Sequence, residues 1–264
     1  MRGSVQVGTS GYVYDHWRGA FYPEDLPKSR WFAHYAARFE TVEVNNTYYR
    51  LATDKAVARW KEAAPPGFSY AFKAHRYITH YRRLLRPEEP LERFFAPLKP
   101  LRDITACVLY QLPANVVRDD ARLRGFLRKL PDGWRAAFEF RDPSWHAPEV
   151  LDLLGEHGAA LVIHDWPESR PVPIEATADL VYLRFHGVER AYAGLYGPRR
   201  LAAWLARIEA WRRGGHSVLA YFNNDERAYA ARDAAWLRDK VAGRAADLPA
   251  TKRGRVAPRR RRSP

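Results

Sequence analysis

The sequence alternates short apolar runs with helix-like periodic segments, and this alternation restricts the fold more than any other feature. Eight runs have the apolar, β-branched or aromatic character of buried strands, at residues 5–7, 41–44, 68–72, 105–110, 136–140, 159–163, 180–185 and 218–222. Helical patterns separate most of these runs, at residues 31–39, 54–63, 88–96, 123–130, 146–157, 201–208 and 226–242. Only residues 165–179, which contain three prolines, have no convincing helical pattern.

Strands separated by helices favour parallel pairing, because a parallel connection requires a crossover that an antiparallel hairpin does not need. Eight such units within about 250 residues predict an α/β protein with a single (β/α)8 TIM barrel at residues 1–250. A doubly wound open sheet is the alternative fold. Its first strand–helix turn usually has a fuller glycine fingerprint than Gly8-Thr9-Ser10-Gly11.

The net charge of the chain is positive and unevenly distributed. The 264 residues include 44 Lys plus Arg and 30 Asp plus Glu, which gives a formal charge of +14. Residues 252–264 contain 7 of these basic residues and no acid, so the rest of the chain has 14 − 7, or +7. We expect residues 251–264 to form a disordered Arg-rich tail that attracts polyanions without specificity.

Cysteine content and hydropathy indicate a cytoplasmic protein. Cys107 is the single cysteine, so no intrachain disulfide is possible, and its apolar run predicts a buried side chain. The sequence has no long uncharged apolar stretch and no apolar segment following Met1. We therefore expect no association with a membrane.

Polar residues lie at the C-terminal ends of the predicted strands. Residues two apart share a face of a strand, and this alternation places four pairs opposite the apolar face: Glu43 with Asn45, Lys73 with His75, Glu139 with Arg141, and Arg184 with His186. Three other strands also end on a polar residue, but by parity these residues share a face with apolar neighbours: Gln111, Asp165 and Asn223.

Two interpretations of these strand ends remain open. Burying charges without partners costs several kcal/mol per ion, so the residues are expected to surround an open, hydrated pocket. Barrel enzymes place their catalytic groups at this end of the strands. Alternatively, the charged residues form a structural ion-pair network across the barrel mouth, made of Glu43, Lys73, Glu139, Arg141 and Arg184.

Ordered motifs in the same regions extend from Gly8 to about Val241. They include Gly8-Thr9-Ser10-Gly11-Tyr12, Val42-Glu43-Val44-Asn45, Gln111-Leu112-Pro113, Glu139-Phe140-Arg141, Arg184-Phe185-His186-Gly187 and Tyr221-Phe222-Asn223-Asn224. In these motifs the chain resembles the YecE-like proteins, a domain of unknown function with a TIM-barrel fold. Asp142 and Tyr48 depart from the His and Phe usual in that family. The resemblance implies the fold but no reaction, and likeness to endonuclease IV-type barrels suggests a phosphodiester role by fold analogy alone.

The strand-end residues predict an enzyme that binds an anionic, phosphate-bearing substrate, with nucleic acid the favoured class and phosphoester hydrolysis the candidate reaction. Groups able to transfer protons or stabilise charge are the predicted catalytic residues: Glu43, Lys73, His75, Glu139, Asp165 and His186. Hydroxyl, amide, aromatic and guanidinium groups are the predicted substrate-binding residues: Ser10, Tyr12, Asn45, Tyr48, Gln111, Arg141, Arg184, Tyr192, Tyr196, Asn223 and Asn224.

Three further functional hypotheses have some support from the same residues. A divalent metal on His75 or His186 has weak support, because the sequence has neither a His-x-His nor a His-Glu-x-x-His spacing. A carbohydrate-active enzyme could use Glu43 and Glu139 as an acid/base pair, with tyrosines stacking on sugars. A non-catalytic nucleic-acid-binding protein would stack bases on the tyrosines, and its affinity would fall steeply with salt.

Overall fold

A computed structural model describes residues 3–166 and 171–243. The predicted tail, 251–264, lies outside these residues. All eight predicted strands are present: β1 (Val5–Thr9), β2 (Thr41–Val44), β3 (Ser69–Lys73), β4 (Thr105–Leu112), β5 (Ala136–Phe140), β6 (Ala160–His164), β7 (Leu180–Phe185) and β8 (Ser217–Phe222). They pair in parallel in the order β1-β8-β7-β6-β5-β4-β3-β2.

Helices follow the predicted periodic segments. The α-helices are α1 (Trp31–Ala36), α2 (Asn46–Tyr49), α3 (Asp54–Ala63), α4 (Glu88–Leu98), α5 (Asp120–Leu127), α6 (Pro148–Glu156), α7 (Gly197–Arg213) and α8 (Tyr229–Val241). A π-helix spans Tyr77–Tyr81, and 3-10 turns span Asp15–Trp17, Lys28–Arg30, Lys99–Ile104, Pro143–Trp145 and Glu226–Ala228. As the prolines predicted, the described residues between β6 and β7 form no helix.

Local sequence explains several helix boundaries. The side chain of Thr53 accepts a hydrogen bond from the Ala56 amide at the start of α3, and Asp119 caps α5 through the Arg122 amide. The helix predicted at 226–242 is interrupted at Ala228, whose φ of 58° is left-handed, so α8 begins at Tyr229. The aromatic stripe at 31–39 forms a helix only as far as Ala36.

The barrel is nearly closed where its first two strands, β1 and β2, approach each other. Ser10 and Glu43 form an isolated parallel bridge, and the Gly11 amide donates to the Glu43 carbonyl at 2.8 Å. Close approach of β1 and β2 requires Gly8, because a Cβ at that position would lie 2.2 Å from the Thr41 carbonyl oxygen. The glycine in this first turn therefore has a structural role in joining the two strands.

The hydrophobic core has two layers, one outside and one inside the barrel. The larger layer lies between the strands and the helices and includes Tyr70, Phe72, Phe138 and Trp145. The smaller layer fills the barrel interior with Ala71, Cys107, Leu109, Ala137, Ala160, Val162, Leu180, Tyr182, Leu219 and Tyr221. Polar strand ends continue this inner layer toward the C-terminal mouth. Among the described residues, no helix is long and apolar enough to cross a membrane.

Candidate functional site

The inner layer decides which polar strand ends face the barrel interior. Leu109 and Tyr221 belong to it, so Gln111 and Asn223, two residues further along their strands, also point inward. Asp165 is different, because its face is that of Ile163, which packs in the outer layer. The inward residue at the end of β6 is His164, which the sequence analysis did not include among the site residues.

Arg184 lies at the centre of a buried ion-pair network. Its Nε and Nη2 atoms donate to Glu43 Oε2 and Oε1 at 2.9 and 2.7 Å, and its Nη1 donates to Glu139 Oε2 at 2.6 Å. Arg141 Nε donates to the other oxygen of Glu139 at 2.5 Å. The side chains of Glu43 and Glu139 are fully buried and that of Arg184 is 2% exposed. These four residues confirm most of the predicted structural network.

Hydrogen bonds and charge keep both glutamates of this network ionised. Glu43 also accepts from Ser10 Oγ at 2.6 Å and from the Tyr182 hydroxyl at 2.8 Å. Burial acts to raise the pKa of Glu43, but the charge and hydrogen bonds of Arg184 outweigh it and hold the pKa below its usual value. Burial opposes Arg141 and Arg184 in the same way at Glu139, where the pKa lies well below its usual value. Neither carboxyl group is therefore a proton donor at neutral pH.

His186 lies between the two arginines as a neutral imidazole. Its Nε2 is 3.1 Å from Arg141 Nη2 and 3.0 Å from Arg184 Nη1, so this nitrogen must accept both hydrogen bonds. Burial and the charge of Arg184 hold the pKa of His186 well below its usual value. The proton is thus assigned to Nδ1, which lies 3.8 Å from Asp165 Oδ1 and makes no hydrogen bond within the described residues.

Asp165 supports the network from behind the barrel wall. It accepts hydrogen bonds from the His186 amide, at 2.8 Å, and from the Tyr196 hydroxyl. Burial raises the pKa of Asp165 to about 6, although these hydrogen bonds act in the opposite direction. Tyr196 in turn accepts from the Gly187 amide at 2.9 Å. The predicted roles of Asp165 in catalysis and Tyr196 in substrate binding therefore do not match their positions, because both hold the loop following β7.

Above the network lies a cavity of about 310 Å³, which opens to solvent near Tyr49 and Tyr192. Its walls are made of polar and aromatic side chains: Tyr14, Asn45, Tyr48, Tyr49, Lys73, Gln111, Arg141, Arg184, Tyr192, Asn223 and Asp225. Eight of these residues were predicted as site residues from the sequence, and the other three are Tyr14, Tyr49 and Asp225. A volume of this size is at the lower end of the range for small-molecule sites.

Lys73 is the amine of this cavity and is not part of the ion-pair network. Its Nζ donates to Gln111 Oε1 at 2.7 Å and lies 4.5 Å from the centre of the Tyr48 ring. The described ion pairs include none between Lys73 and a carboxylate. Burial and the neighbouring charge of Arg184 lower the pKa of Lys73 to about 8.

Three further aromatic side chains belong to the site although the sequence analysis did not predict them, namely Trp166, Tyr14 and Tyr49. Trp166 packs on Arg141, whose guanidinium carbon is 3.9 Å from the centre of the indole ring. Tyr14 lines the cavity and donates its hydroxyl hydrogen to the Ser10 carbonyl at 2.5 Å. Each follows a predicted strand by a few residues, so a wider window beyond the strand ends would have found them.

Several predicted site residues lie outside the cavity, and His75 is the clearest correction. His75 lies in a separate cleft with Leu51, Tyr77 and Arg93, because the chain turns out of the barrel directly after Lys73. Burial lowers the pKa of His75. Its predicted catalytic role has no geometric support in this position.

Tyr12, Asn224 and Ser10 also fall outside the predicted substrate-binding position. Tyr12 lines a neighbouring groove and packs against Phe32. Asn224 is buried, where its amide nitrogen donates to the Gly194 carbonyl and to Asp233, and Ser10 is buried on Glu43. All three act within the protein framework around the mouth.

The arrangement combines both interpretations of the strand ends. The glutamates and Arg184 form a buried network, while Lys73 and Arg141 reach an open cavity above it. A glycosidase would need one protonated and one ionised carboxyl group facing a substrate, and here both glutamates are ionised and buried. Among the described residues, no group of three or more His, Cys, Asp or Glu side chains is placed to hold a metal ion.

The fold and the site together define a parallel (β/α)8 barrel protein with an arginine–carboxylate network beneath a cationic, tyrosine-lined cavity. The chain belongs to the family described as "Protein of unknown function DUF72", which matches residues 6–258. This result confirms the resemblance to YecE-like proteins that the motifs indicated.

Individual relatives agree with this assignment. UPF0759 protein YunF of Bacillus subtilis is 22% identical over 86% of this chain and 91% of its own length. UPF0759 protein YecE of Escherichia coli is 32% identical over 52% of each chain. A DUF72 family protein of Thermotoga maritima has a crystal structure that matches with a TM-score of 0.81 and 28% identity, covering 90% of this chain and 99% of that one. A DUF72 protein of Enterococcus faecalis matches with a TM-score of 0.77 and 22% identity, over 94% and 99% of the two chains.

Proposed function

We propose that the protein is an enzyme that binds an anionic, phosphate-bearing substrate in the barrel-mouth cavity, with nucleotides or nucleic acid the favoured class. One observation carries this proposal: Lys73 and Arg141 line an open cavity directly above a network whose two carboxylates already accept hydrogen bonds from arginines. A negatively charged ligand would therefore supply the counter-charge to the cations that Lys73 and Arg141 present to the cavity.

The charge count at the site supports an anionic ligand. Lys73, Arg141 and Arg184 supply three positive charges, and Glu43 and Glu139 supply two negative charges, so these five groups carry 3 − 2, or +1. Asp225 also lines the cavity and is not in this sum; its Oδ2 atom lies 3.4 Å from His16 Nε2, and burial raises its pKa above the usual value. Because Arg184 is saturated by both glutamates, the positive charge available to a ligand belongs to Lys73 and Arg141.

Tyrosines on the cavity wall favour a phosphate ester that carries a flat group. Four of them line the cavity, and Tyr49 and Tyr192 are 58% and 46% exposed at its opening. Aromatic faces exposed beside a cationic pocket suit the stacking of bases, which contributes about 1–3 kcal/mol per base in single-stranded nucleic-acid complexes. A nucleotide or a single-stranded segment therefore fits this wall better than a bare inorganic anion.

The proposed reaction is hydrolysis of a phosphoester bond: water attacks phosphorus, the new P–O bond replaces the ester P–O bond, and the departing alcohol takes up the proton that water loses. Charge builds on the phosphoryl oxygens during such reactions, and fixed cations close to that charge lower the barrier. Lys73 and Arg141 are the groups in the cavity that could do so. Glu43 and Glu139 would act as positioning residues, since they hold the arginines and do not reach the cavity. The choice of phosphoester chemistry also relies on fold-level analogy.

Binding is tested by titrating the full-length protein with inorganic phosphate, adenosine 5′-phosphate and a short single-stranded oligonucleotide in a calorimeter. Removing the charge in Lys73→Gln should weaken binding about ten- to hundredfold, because a charge-assisted hydrogen bond contributes about 1.5–3 kcal/mol. The matched control is Lys99→Gln, an exposed lysine in the turn that leads into β4 at the opposite end of the barrel. Equal affinity in both variants would contradict the proposal.

Salt dependence and turnover separate an enzyme from a simple nucleic-acid-binding protein. On a single strand, Lys73 and Arg141 together should contribute about −1.4 to the slope of log affinity against log salt, and Lys73→Gln should make the total slope less steep by about 0.7. Hydrolysis of a chromogenic phosphodiester and of abasic, single-stranded and RNA substrates is assayed with added Mg²⁺, Mn²⁺ or Zn²⁺. Binding with the expected slope but no turnover on any substrate would favour the non-catalytic alternative.

A further inference from the structure

Lys73 has an unusual environment for a lysine that only binds a phosphate. Its Nζ donates one hydrogen bond, to the neutral amide of Gln111, and faces the ring of Tyr48. The two nearby glutamates are occupied by Arg184 and Arg141. No acidic side chain among the described residues forms an ion pair with the amine. The described cavity wall thus offers Lys73 a hydrogen-bond acceptor and an aromatic ring but no paired carboxylate, and Glu139 and Glu43 act on the amine only through their charge.

Two exposed lysines of the described chain each have a carboxylate partner that stabilises the cation. Lys28 Nζ lies 2.6 Å from Asp15, and Lys129 Nζ lies 3.3 Å from Glu88, and all four side chains are exposed. Lys73 is instead half-buried, beside a guanidinium network. Removal from water and a nearby positive charge are the two conditions that turn a lysine into a nucleophile.

The protonation equilibrium supports the same chemistry. Burial, reinforced by Arg184, brings the pKa of Lys73 to about 8. At pH 8 about half of this amine would be neutral, whereas an ordinary lysine is less than about 1% neutral at that pH. The reactive form is thus roughly a hundredfold more abundant here than on an exposed lysine.

We propose that Lys73 forms an imine with an aldehyde or ketone that also carries a phosphate group, which Arg141 would hold. This inference rests on the proposed function, because the phosphate is what brings the carbonyl to the amine. It narrows the substrate class from any phosphate ester to a phosphorylated carbonyl compound. An open-chain sugar phosphate and the open form of an abasic nucleotide share this chemistry.

The bond changes are those of imine formation. The Lys73 nitrogen attacks the carbonyl carbon, a new C–N bond forms, and the carbonyl oxygen takes a proton to become a hydroxyl group. Loss of that hydroxyl group as water, with the second proton from nitrogen, leaves the C=N bond. Borohydride added by the experimenter delivers hydride to this carbon, and the nitrogen takes a proton, which gives a stable secondary amine. No oxidant or reductant is needed for the imine itself.

The test uses the full chain and pyridoxal 5′-phosphate, a compact aldehyde that carries a phosphate. The protein is incubated with the probe at pH 8, reduced with borohydride and digested, and the modified lysines are mapped by mass spectrometry. We expect Lys73 to be labelled at least tenfold faster than Lys99, and pyridoxal without its phosphate to lose this preference. Inorganic phosphate should protect Lys73. Equal labelling of Lys73 and Lys99 would overturn the imine.

Measuring phosphate affinity and adduct formation separately distinguishes this inference from the proposed function. Arginine forms no comparable imine, so the site-specific adduct should disappear in Lys73→Arg, while calorimetry on the natural protein measures phosphate affinity. Phosphate binding by the natural protein without an adduct on Lys73 would overturn only the imine. Absence of phosphate binding would overturn the proposed function and, with it, the phosphorylated substrate class.

A second experiment distinguishes the two possible sources of the carbonyl group, a nucleic acid and a small phosphorylated compound. The protein is treated with borohydride in the presence of a single-stranded oligonucleotide that contains one abasic site, and a covalent complex is sought on a denaturing gel. A complex that depends on Lys73 and forms faster than the pyridoxal phosphate adduct assigns the carbonyl to nucleic acid. The reverse order assigns it to a small phosphorylated compound, and failure of both probes refutes the inference.

Discussion

Replacing Arg184 by methionine tests whether the buried network has the energetic role that its geometry indicates. Arg184 makes three hydrogen-bonded contacts to carboxylate oxygens, two on Glu43 and one on Glu139, and its side chain is 2% exposed. Methionine fills similar space without charge. Arg141 would still pair with Glu139, but Glu43 would lose both of its guanidinium bonds.

The expected loss of stability follows from the buried Glu43 carboxylate, which would remain without a positively charged partner. Removing one partner of a buried ion pair costs about 3–5 kcal/mol, a large share of a total stability of about 5–15 kcal/mol. For a chain of this size we therefore expect the melting temperature to fall by roughly 6–20 °C. The matched control is Arg207→Met, an exposed arginine near the Trp204 ring, where the change should stay within about 0.5 kcal/mol.

The pH dependence of this loss has a definite sign. In the natural protein the pKa values of Glu43 and Glu139 lie below their unfolded values, so their stabilisation is present above about pH 4.3 and is lost as the pH falls through the folded pKa. Without Arg184, burial raises the pKa of Glu43, and the destabilisation grows as the pH rises above about 4.3. The variant should therefore be closest to the natural protein in acid.

Urea denaturation followed by circular dichroism at pH 5 and pH 8 measures both effects. We expect a larger difference at pH 8, and the further change Glu43→Gln should restore part of the lost stability by removing the buried charge. A loss below about 1 kcal/mol, identical at the two pH values, would refute the view that Arg184 neutralises two buried carboxylates.

Two other predictions concern the first strand and the residue excluded from the site. Gly8→Ala should lower the free energy of unfolding by about 1–3 kcal/mol, because the new Cβ would lie 2.2 Å from the Thr41 carbonyl and force β1 and β2 apart; urea denaturation measures this, and an unchanged midpoint would contradict it. His75→Ala should change phosphate affinity less than about twofold in calorimetry, since His75 lies in another cleft. A tenfold loss would place His75 back in the site.

Periodicity was sufficient to predict the barrel. The alternation of apolar runs and helical patterns located all eight strands, because a buried parallel strand must be apolar and its crossover must bury one helical face. It also indicated the irregular connection after β6, where the prolines exclude helix. The break before Tyr229 was missed, since the two consecutive left-handed residues, Arg227 and Ala228, leave no periodic signal.

Parity predicted the direction of most strand-end side chains but not their depth. Glu43, Lys73, Glu139, Arg141 and Arg184 face inward as alternation requires, yet only Lys73 and Arg141 combine access to the cavity with charge that is not saturated. For His75 the rule failed, because β3 ends at Lys73 and the chain has left the strand direction two residues later, whereas Arg141 directly follows the last residue of β5. Trp166 and Tyr14 lie on loops, where no periodicity applies.

The sequence by itself determined the strand and helix order, the parallel topology and the concentration of polar groups at one end of the barrel, because these depend on local periodicity and on the alternation of side chains. Tertiary structure alone decided that Arg184 would neutralise both glutamates and that Lys73 would have no carboxylate partner within residues 3–166 and 171–243. These residues come from four different strands, β2, β3, β5 and β7. Pairing among them depends on distances of a few ångströms set by the register and closure of the whole barrel, and the spacing of residues along the chain does not encode those distances.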